Sequence, residues 1–201
     1  MKFCRNNLSL NIKITKDQTM NFTAIDFETA HAEYPCEIGL TRVENGLILD
    51  SKSWLIKPAC FPYMNPWNLR VHGISSADVS SALTFEEIWS ELKPWLEDNY
   101  LVAHNAAFDM RVLRSVLAYY DLAIPRAEYF CSVSVSRKTW KHLPSHSLGI
   151  VSQYHNIQFN HHRAGDDAKA CAQIALKAFA TVDALNVSQG LNKLGVVLKR
   201  L

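Results

Sequence analysis

No window of this 201-residue sequence comes near the ~18 consecutive apolar residues that a membrane-spanning helix needs. The opening residues, MKFCRNNLSLNIK, lack the apolar stretch of a secretory signal. The expectation is therefore a cytoplasmic protein with no membrane partner. Cysteine is sparse: Cys4, Cys36, Cys60, Cys131 and Cys171 are odd in number and widely spaced, and no two stand at zinc-ligand or redox-motif separation. They are read as reduced or buried thiols. A strong charge imbalance is missing too, since the formal net charge is +2. That excludes a global basic field, so any nucleic-acid surface has to be local. No internal repeat or low-complexity tract interrupts the chain.

What is present is apolar material for one large core, 48% of the residues, in a length that suits one domain. Residues 1–20 are polar with a faint alternation at Ile12 and Ile14, an extension of unknown role. From Asn21 the run FTAIDF is apolar up to its acidic end, the pattern of a strand covered on both faces. EIGLTRVE and LILDSKSWLIK flank Asn45-Gly46, the strongest dipeptide signal of a type I′ hairpin. Three antiparallel strands in succession follow from this. Thr84 and Glu87 form a capping box for a helix carrying Phe85, Ile88, Trp89, Leu92 and Leu96, with Pro94 kinking or shortening its last turn.

YLVA (100–103) predicts a fourth strand, a helix follows from about Asn105 to Tyr120, and EYFCSV predicts a fifth strand. Two more helices are expected, from about Ser147 to His155 and from about Asp166 to Ala180. The order predicts an α/β fold, a mixed five-stranded sheet with helices on both faces, which fits a ribonuclease H-like architecture. The main domain is placed at 21–181. Residues 182–201 are expected to be a closing helix or a partner-binding tail, with Gln189, Leu191 and Leu194 arranged so that they could meet a replication partner.

Acidic and imidazole side chains stand out in three distant segments: AIDFETA, AHNAAFD and HHRAGDDA. Four carboxylates and one histidine suffice to hold two divalent metals on a phosphodiester and to deprotonate a water beside it. Asp26 and Glu28 lie two apart on a strand, so they leave the same face roughly 6.5 Å apart while Phe27 points to the core. Acidic residues ending an apolar strand sit where open α/β sheets place ligands; the alternative is that they merely start a loop. At about 100° per residue, Leu113, Val116 and Tyr120 fall within about 40° of Asp109, so its carboxylate heads the buried stripe of its helix. A cation would stabilise it there, as would a buried arginine or capping amides.

Asn105 reads first as the N-cap of that helix, a position that can also orient substrate. Asp167 aligns with Cys171, Ile174 and Ala178, whereas Asp166 aligns with Ala170, Gln173 and Lys177. Asp167 is therefore assigned to the site and Asp166 to the helix dipole. Chemistry alone does not choose between His161 and His162 as the proton acceptor.

These segments resemble the DEDDh superfamily of 3′ to 5′ exonucleases, the group containing RNase T and the epsilon proofreading subunit of DNA polymerase III. DFET looks like the first motif, HNAAFD the second, and His162-x-A-x-x-Asp167 the third, in order over residues 21 to about 180. The resemblance selects His162, and having histidine there in place of tyrosine separates this branch from the DEDDy branch. It implies metal-dependent hydrolysis of 3′-terminal phosphodiesters to nucleoside 5′-monophosphates. Asp26 would bridge two Mg²⁺ or Mn²⁺ ions, Glu28, Asp109 and Asp167 would complete the ligand set, and His162 would be the general base.

EIG (37–39) resembles the family's second strand, and Val71-His72-Gly73-Ile74 resembles a segment that reaches the nucleotide. His72, Phe108, Thr29 and Ala30 thereby become candidate substrate contacts. The implied partner is a single-stranded 3′ end, with DNA favoured over RNA and a replicative polymerase or clamp as a possible associate. The competing readings are an RNA-directed exoribonuclease, an inactive nucleic-acid-binding module, and a phosphohydrolase of small nucleotides.

Overall fold

Strand parity sorts the first half of the chain. In a computed structural model describing residues 19–201, β1 (Phe22–His31), β2 (Tyr34–Glu44) and β3 (Leu47–Leu55) form the expected antiparallel meander. Asn45 and Gly46 both hold positive φ, 52° and 77°, which the tight turn between β2 and β3 requires. The alternation at Ile12 and Ile14, and all of the extension before Thr19, lie outside the described residues.

A short helix α1 (Pro66–His72) and a single turn α2 (Ser76–Val79) precede α3 (Phe85–Leu96). The capping box of α3 is present: Glu87 N–H donates to Thr84 Oγ1 at 3.4 Å and Thr84 N–H donates to Glu87 Oε2 at 2.7 Å. Pro94 lies inside the last turn, and the helix runs two residues past it to Leu96. β4 (Tyr100–Ala103) leads into α4 (Ala106–Tyr119), and β5 (Glu128–Cys131) into α5 (Ser132–Thr139). Next come α6 (Leu148–Tyr154), α7 (Ala164–Ala180), α8 (Val187–Leu194) and β6 (Lys199–Arg200).

The sheet has six strands in the order β3-β2-β1-β4-β5-β6, one more than the five expected. The extra strand is two residues long, too short for any period to announce it. It forms because Lys199 and Arg200 pair antiparallel with Tyr129 and Glu128, and Leu201 N–H reaches Ala127 O at 3.0 Å. The other correction is α5. The alternation SVSV continues the strand pattern of EYFC, yet the chain turns into a helix after Cys131. Ser132, Val135 and Ser136, three and four apart, are buried where α5 packs on α7, so tertiary burial overrides local propensity.

The sheet separates two apolar layers. On one face Phe22, Ala24, Val102 and Phe130 pack with Cys171, Ile174 and Ala178 of α7. On the other, Ile25, Phe27, Ile38 and Leu101 pack with α3 and with Met110 and Leu113 of α4. Side chains 22, 24, 26 and 28 of β1 therefore project toward α7, and 25 and 27 toward α4. Among the described residues no helix is long and apolar enough to cross a membrane.

Candidate active site

The parallel strands β1 and β4 pair only at Thr23–Leu101 and Ala24–Val102. β1 continues beyond that point, so Asp26, Phe27 and Glu28 enter a crevice past the carboxyl end of β4, where open α/β sheets place ligands. Phe27 N–H emerges there without a strand partner on the β4 side, and Asp109 Oδ1, in the first turn of α4, accepts it at 3.2 Å. Asp109 thus heads the buried stripe of its helix, at 2% exposure, and also caps a backbone amide.

The approach of α7 depends on the absence of a side chain. A Cβ on Gly39, opposite Asp26 in the register, would collide with the backbone of Ala164 and Gly165. With glycine there, the N-terminus of α7 rests directly on β2. The flanking carboxylate Glu37, 1% exposed, accepts from Ala164 N–H at 3.1 Å and from Arg163 Nη2 at 3.1 Å. Asp167, three residues into the helix, is thereby held over β1.

Asp26, Glu28 and Asp167 each place a carboxylate oxygen within 4.8 Å of the other two. Asp109 stands behind this trio, and after burial itself its charge is the largest influence raising the pKa of Asp26. Burial first, then Asp167, Glu37 and Asp109, pushes Glu28 up to about 8. Asp167 is also raised by burial, against the opposing pull of His161 and the His162 N–H. Asp167 Oδ1 is buried and has no hydrogen-bond partner. A crowded set of carboxylates whose anionic forms are disfavoured, with one oxygen orphaned, has the donor chemistry of a divalent-cation site. Of the guanidinium groups nearby, Arg163 is committed to Glu37 and Arg111 to Glu33, each at 3.1 Å.

His162 adopts positive φ, 67°, just before α7. Its Nδ1 lies 3.9 Å from Glu28 Oε1, and burial lowers its pKa, which favours the neutral ring. His161 stacks on it at 4.0 Å with the planes 10° apart and sets its own Nδ1 3.2 Å from Asp167 Oδ2. Asp166 leaves the cluster and accepts from Asn160 N–H and Nδ2 instead, at 3.2 and 2.8 Å.

The candidate substrate contacts divide. A cleft of about 420 Å³ beside Glu28 is lined by Thr29, Trp67, His72, Phe108 and Arg111. His72 uses both ring nitrogens on backbone: Nδ1 accepts from Ile74 N–H at 3.0 Å and Nε2 meets Thr29 O at 3.1 Å. It shapes the wall more than it offers a free donor. Ala30 is fully buried with Cys36, Ile74 and Val79. Asn105 occupies the N-cap position of α4 with φ 81° and makes no side-chain cap bond, and it opens on a different cleft beside Ser134 and Lys138.

Sequence reasoning did not single out Glu37, Arg163 or Trp67, and it held His161 only as the alternative to His162. The available signals were an acid inside the apolar strand of β2 and the Asn65-Pro66 helix start. That start presents Trp67, 68% exposed, on the first turn of α1.

An exonuclease family model (RNase_T) matches residues 23–175. A DNA polymerase III of the PolC type from Thermotoga maritima is 32% identical over 161 residues, 78% of this chain but 12% of the relative. The chain therefore spans about an eighth of the length of that relative. Among solved structures, Exonuclease X in complex with 5′ overhanging duplex DNA superposes with a TM-score of 0.70 at 23% identity, over 87% of this chain and 99% of the other. The nuclease domain of 3′hExo, a DEDDh family member bound to rAMP, gives 0.68 at 17% identity, over 81% of this chain and 93% of the other. The fold is theirs, the ribonuclease H-like architecture of exonucleases.

Proposed function

This chain belongs to the exonuclease family, and we propose that it is of the DEDDh type and shortens single-stranded DNA from the 3′ end by metal-dependent hydrolysis, releasing nucleoside 5′-monophosphates. The observation that carries the reading is the convergence of Asp26, Glu28 and Asp167 at one crevice, backed by Asp109 and flanked by His162. DNA as substrate is supported by the PolC-type relative.

Asp26, Glu28, Asp109 and Asp167 would hold two Mg²⁺ or Mn²⁺ ions, oxygen donors being the ligands those cations favour. What the cations supply is positive charge against the phosphodiester and a more acidic attacking water. The protein's own contribution is positional. Phe27 N–H fixes Asp109, the Glu37 clamp fixes the start of α7, and Asp167 and His162 follow from that start. His162 accepts the proton of the attacking water. Phe108 and Trp67 bound the space beside Glu28 where a terminal nucleotide lies, and Thr29 forms its floor.

The test is a comparison of matched DNA and RNA oligonucleotides, labelled at either end, with Mg²⁺, Mn²⁺ or EDTA. A ladder from the 5′ label that disappears in EDTA is expected. Cleavage surviving EDTA, mononucleotide released first from the 5′ label, or no cleavage of either polymer overturns the reading; faster loss of RNA transfers the substrate to RNA.

A further inference from the structure

Two long stretches of this chain carry no acid. Between Glu128 and Asp166, and again after Asp183, none of the 19 Asp and Glu residues occurs, while Arg137, Lys138, Lys141, Lys199 and Arg200 do. The fold brings these stretches together at one edge of the sheet. Lys199 pairs with Tyr129 in the β5–β6 register, and a cleft of about 380 Å³ opens beside them, lined by Ser134 and Lys138 of α5, Val197 and Lys199 of the tail, and Asn105 and Ala107 at the start of α4. We propose that this cleft is a second binding site for the nucleic-acid strand, holding backbone phosphates a few nucleotides upstream of the bond that is cut.

Charge is the first support. With a net charge of only +2, the chain needs a local surface to attract a polyanion, and this cleft is lined by two cations and no carboxylate. Lys138 and Lys199 are exposed, and neither is held in an ion pair among the described residues. By contrast, Arg111, Arg126 and Arg163 are each paired with a carboxylate, and Lys193 donates to backbone carbonyls. Ser134 and Asn105 add neutral donors of the kind that also contact phosphate. Val197, 72% exposed, supplies apolar surface for a sugar.

Placement is the second support, and it is independent of charge. The cleft lies at the carboxyl ends of β4 and β5, where Ala103 pairs with Cys131, so it shares its end of the sheet with the carboxylate crevice. Only the first turn of α4 stands between the two. Ala107 lines this cleft, and Phe108, the next residue, lines the one beside Glu28. Asn105 and Asp109 are about one turn apart, roughly 6 Å along the helix. A strand whose 3′ nucleotide lies against Trp67 and Phe108 reaches the lysines by crossing the start of α4.

Phosphates neutralised in this way make affinity depend on strand length and on salt, with no part for base sequence. The upstream direction rests on the nuclease reading above; strand binding by the cleft does not. The experiment uses the full chain as wild type, Lys138→Gln, Lys199→Gln, the double variant, and Lys52→Gln, which removes an exposed lysine from β3 at the opposite edge of the sheet. Binding of a long fluorescent single-stranded DNA is measured in EDTA over a range of salt. Without metal the crowded carboxylates repel phosphate, so the binding that remains reports surfaces outside the crevice. KM is then measured in Mg²⁺ for a dinucleotide and for the long strand.

Each single variant is expected to reduce the slope of log affinity against log salt by about 0.7, and the double variant by about 1.4, with binding at low salt at least ~10-fold weaker. KM for the long strand should rise with that loss, and KM for the dinucleotide, which ends before the cleft, far less. Lys52→Gln should keep the wild-type slope. A double variant with the wild-type slope overturns the site, as does an equal rise in KM for both lengths or an equal loss of slope in Lys52→Gln. A wild-type protein that binds the strand with a slope dependent on these two lysines yet cuts nothing keeps the site and refutes the nuclease reading.

Discussion

Arg163 and Glu37, 126 positions apart in sequence, meet where α7 touches the sheet, with Nη2 donating to Oε1 at 3.1 Å. Glu37 stands directly opposite Glu28 in the β1–β2 register. Two like charges in that relation repel. The fold resolves the conflict asymmetrically, because the rear carboxylate is buried and paired while the front one faces the crevice with its pKa raised. That division separates a structural acid, Glu37, from the acid proposed for the site, Glu28.

Replacing Arg163 by methionine should cost about 1–3 kcal/mol, because one Glu37 oxygen is left buried without its donor. Glu37→Gln keeps an acceptor for Ala164 N–H and should cost less. Urea unfolding ranks the two, and a wild-type midpoint for Arg163→Met would show that the clamp contributes nothing.

Asp26→Asn and Asp167→Asn should move activity and stability in opposite directions. Each removes a charge that the site requires, at a loss of about 10²–10³ or more in rate. Each also relieves repulsion among crowded carboxylates, so without metal the melting temperature should stay level or rise. A variant that retains near-normal cleavage would remove that residue from the site.

The pH dependence of the metal-free protein follows from Glu28, whose carboxyl is raised from 4.5 to about 8. A raised folded-state pKa means that the folded protein holds its proton more tightly than the unfolded chain. The resulting stability is fully present below 4.5 and is lost as pH climbs to about 8. In EDTA the melting temperature should fall across that window, and added Mg²⁺ or Mn²⁺ should restore most at its alkaline end. A flat profile in EDTA would contradict the crowding of these carboxylates.

Much of this arrangement was legible in the chain. Strand parity placed Asp26 and Glu28 on one face, and helix phase separated Asp167 from Asp166, because both depend on short-range periods that the fold preserves. Asp109 was readable as buried, though not its bond to Phe27 N–H, which depends on where β4 stops pairing. Helix α5 was misread because its serine–valine alternation is the same in a strand, and only burial against α7 decides. Strand β6 and the pairing of Arg163 with Glu37 arise from contacts between segments far apart in sequence, for which the sequence carries no local period.

Gly39→Ala tests how α7 is seated. The new methyl would collide with the Ala164 carbonyl, and backbone cannot rotate aside as a side chain can. Overpacking of this kind costs about 1–3 kcal/mol or more. Relief requires the start of α7 to lift, taking Asp167 and His162 with it, so metal affinity should fall together with stability. A folded Gly39→Ala with unchanged Mn²⁺ affinity would show that the close approach is not what positions the third motif.

Trp67 supplies the sharpest test of how substrate is held. It is 68% exposed beside Glu28, with Phe108 in the same cleft, and the guanidinium of Arg70 lies 5.9 Å from its ring. A large exposed aromatic in a cleft would ordinarily be a solubility cost, and stacking on a base is a way to offset it, at about 1–3 kcal/mol per base. Trp67→Ala should therefore raise KM for single-stranded oligonucleotides by roughly 10- to 100-fold. The midpoint for Mg²⁺ activation should stay fixed, because no carboxylate is altered, and Trp67→Phe should recover most of the loss because it restores a ring to stack on. If Trp67→Ala instead lowers kcat at unchanged KM, the ring acts on the geometry of the crevice and does not hold a base.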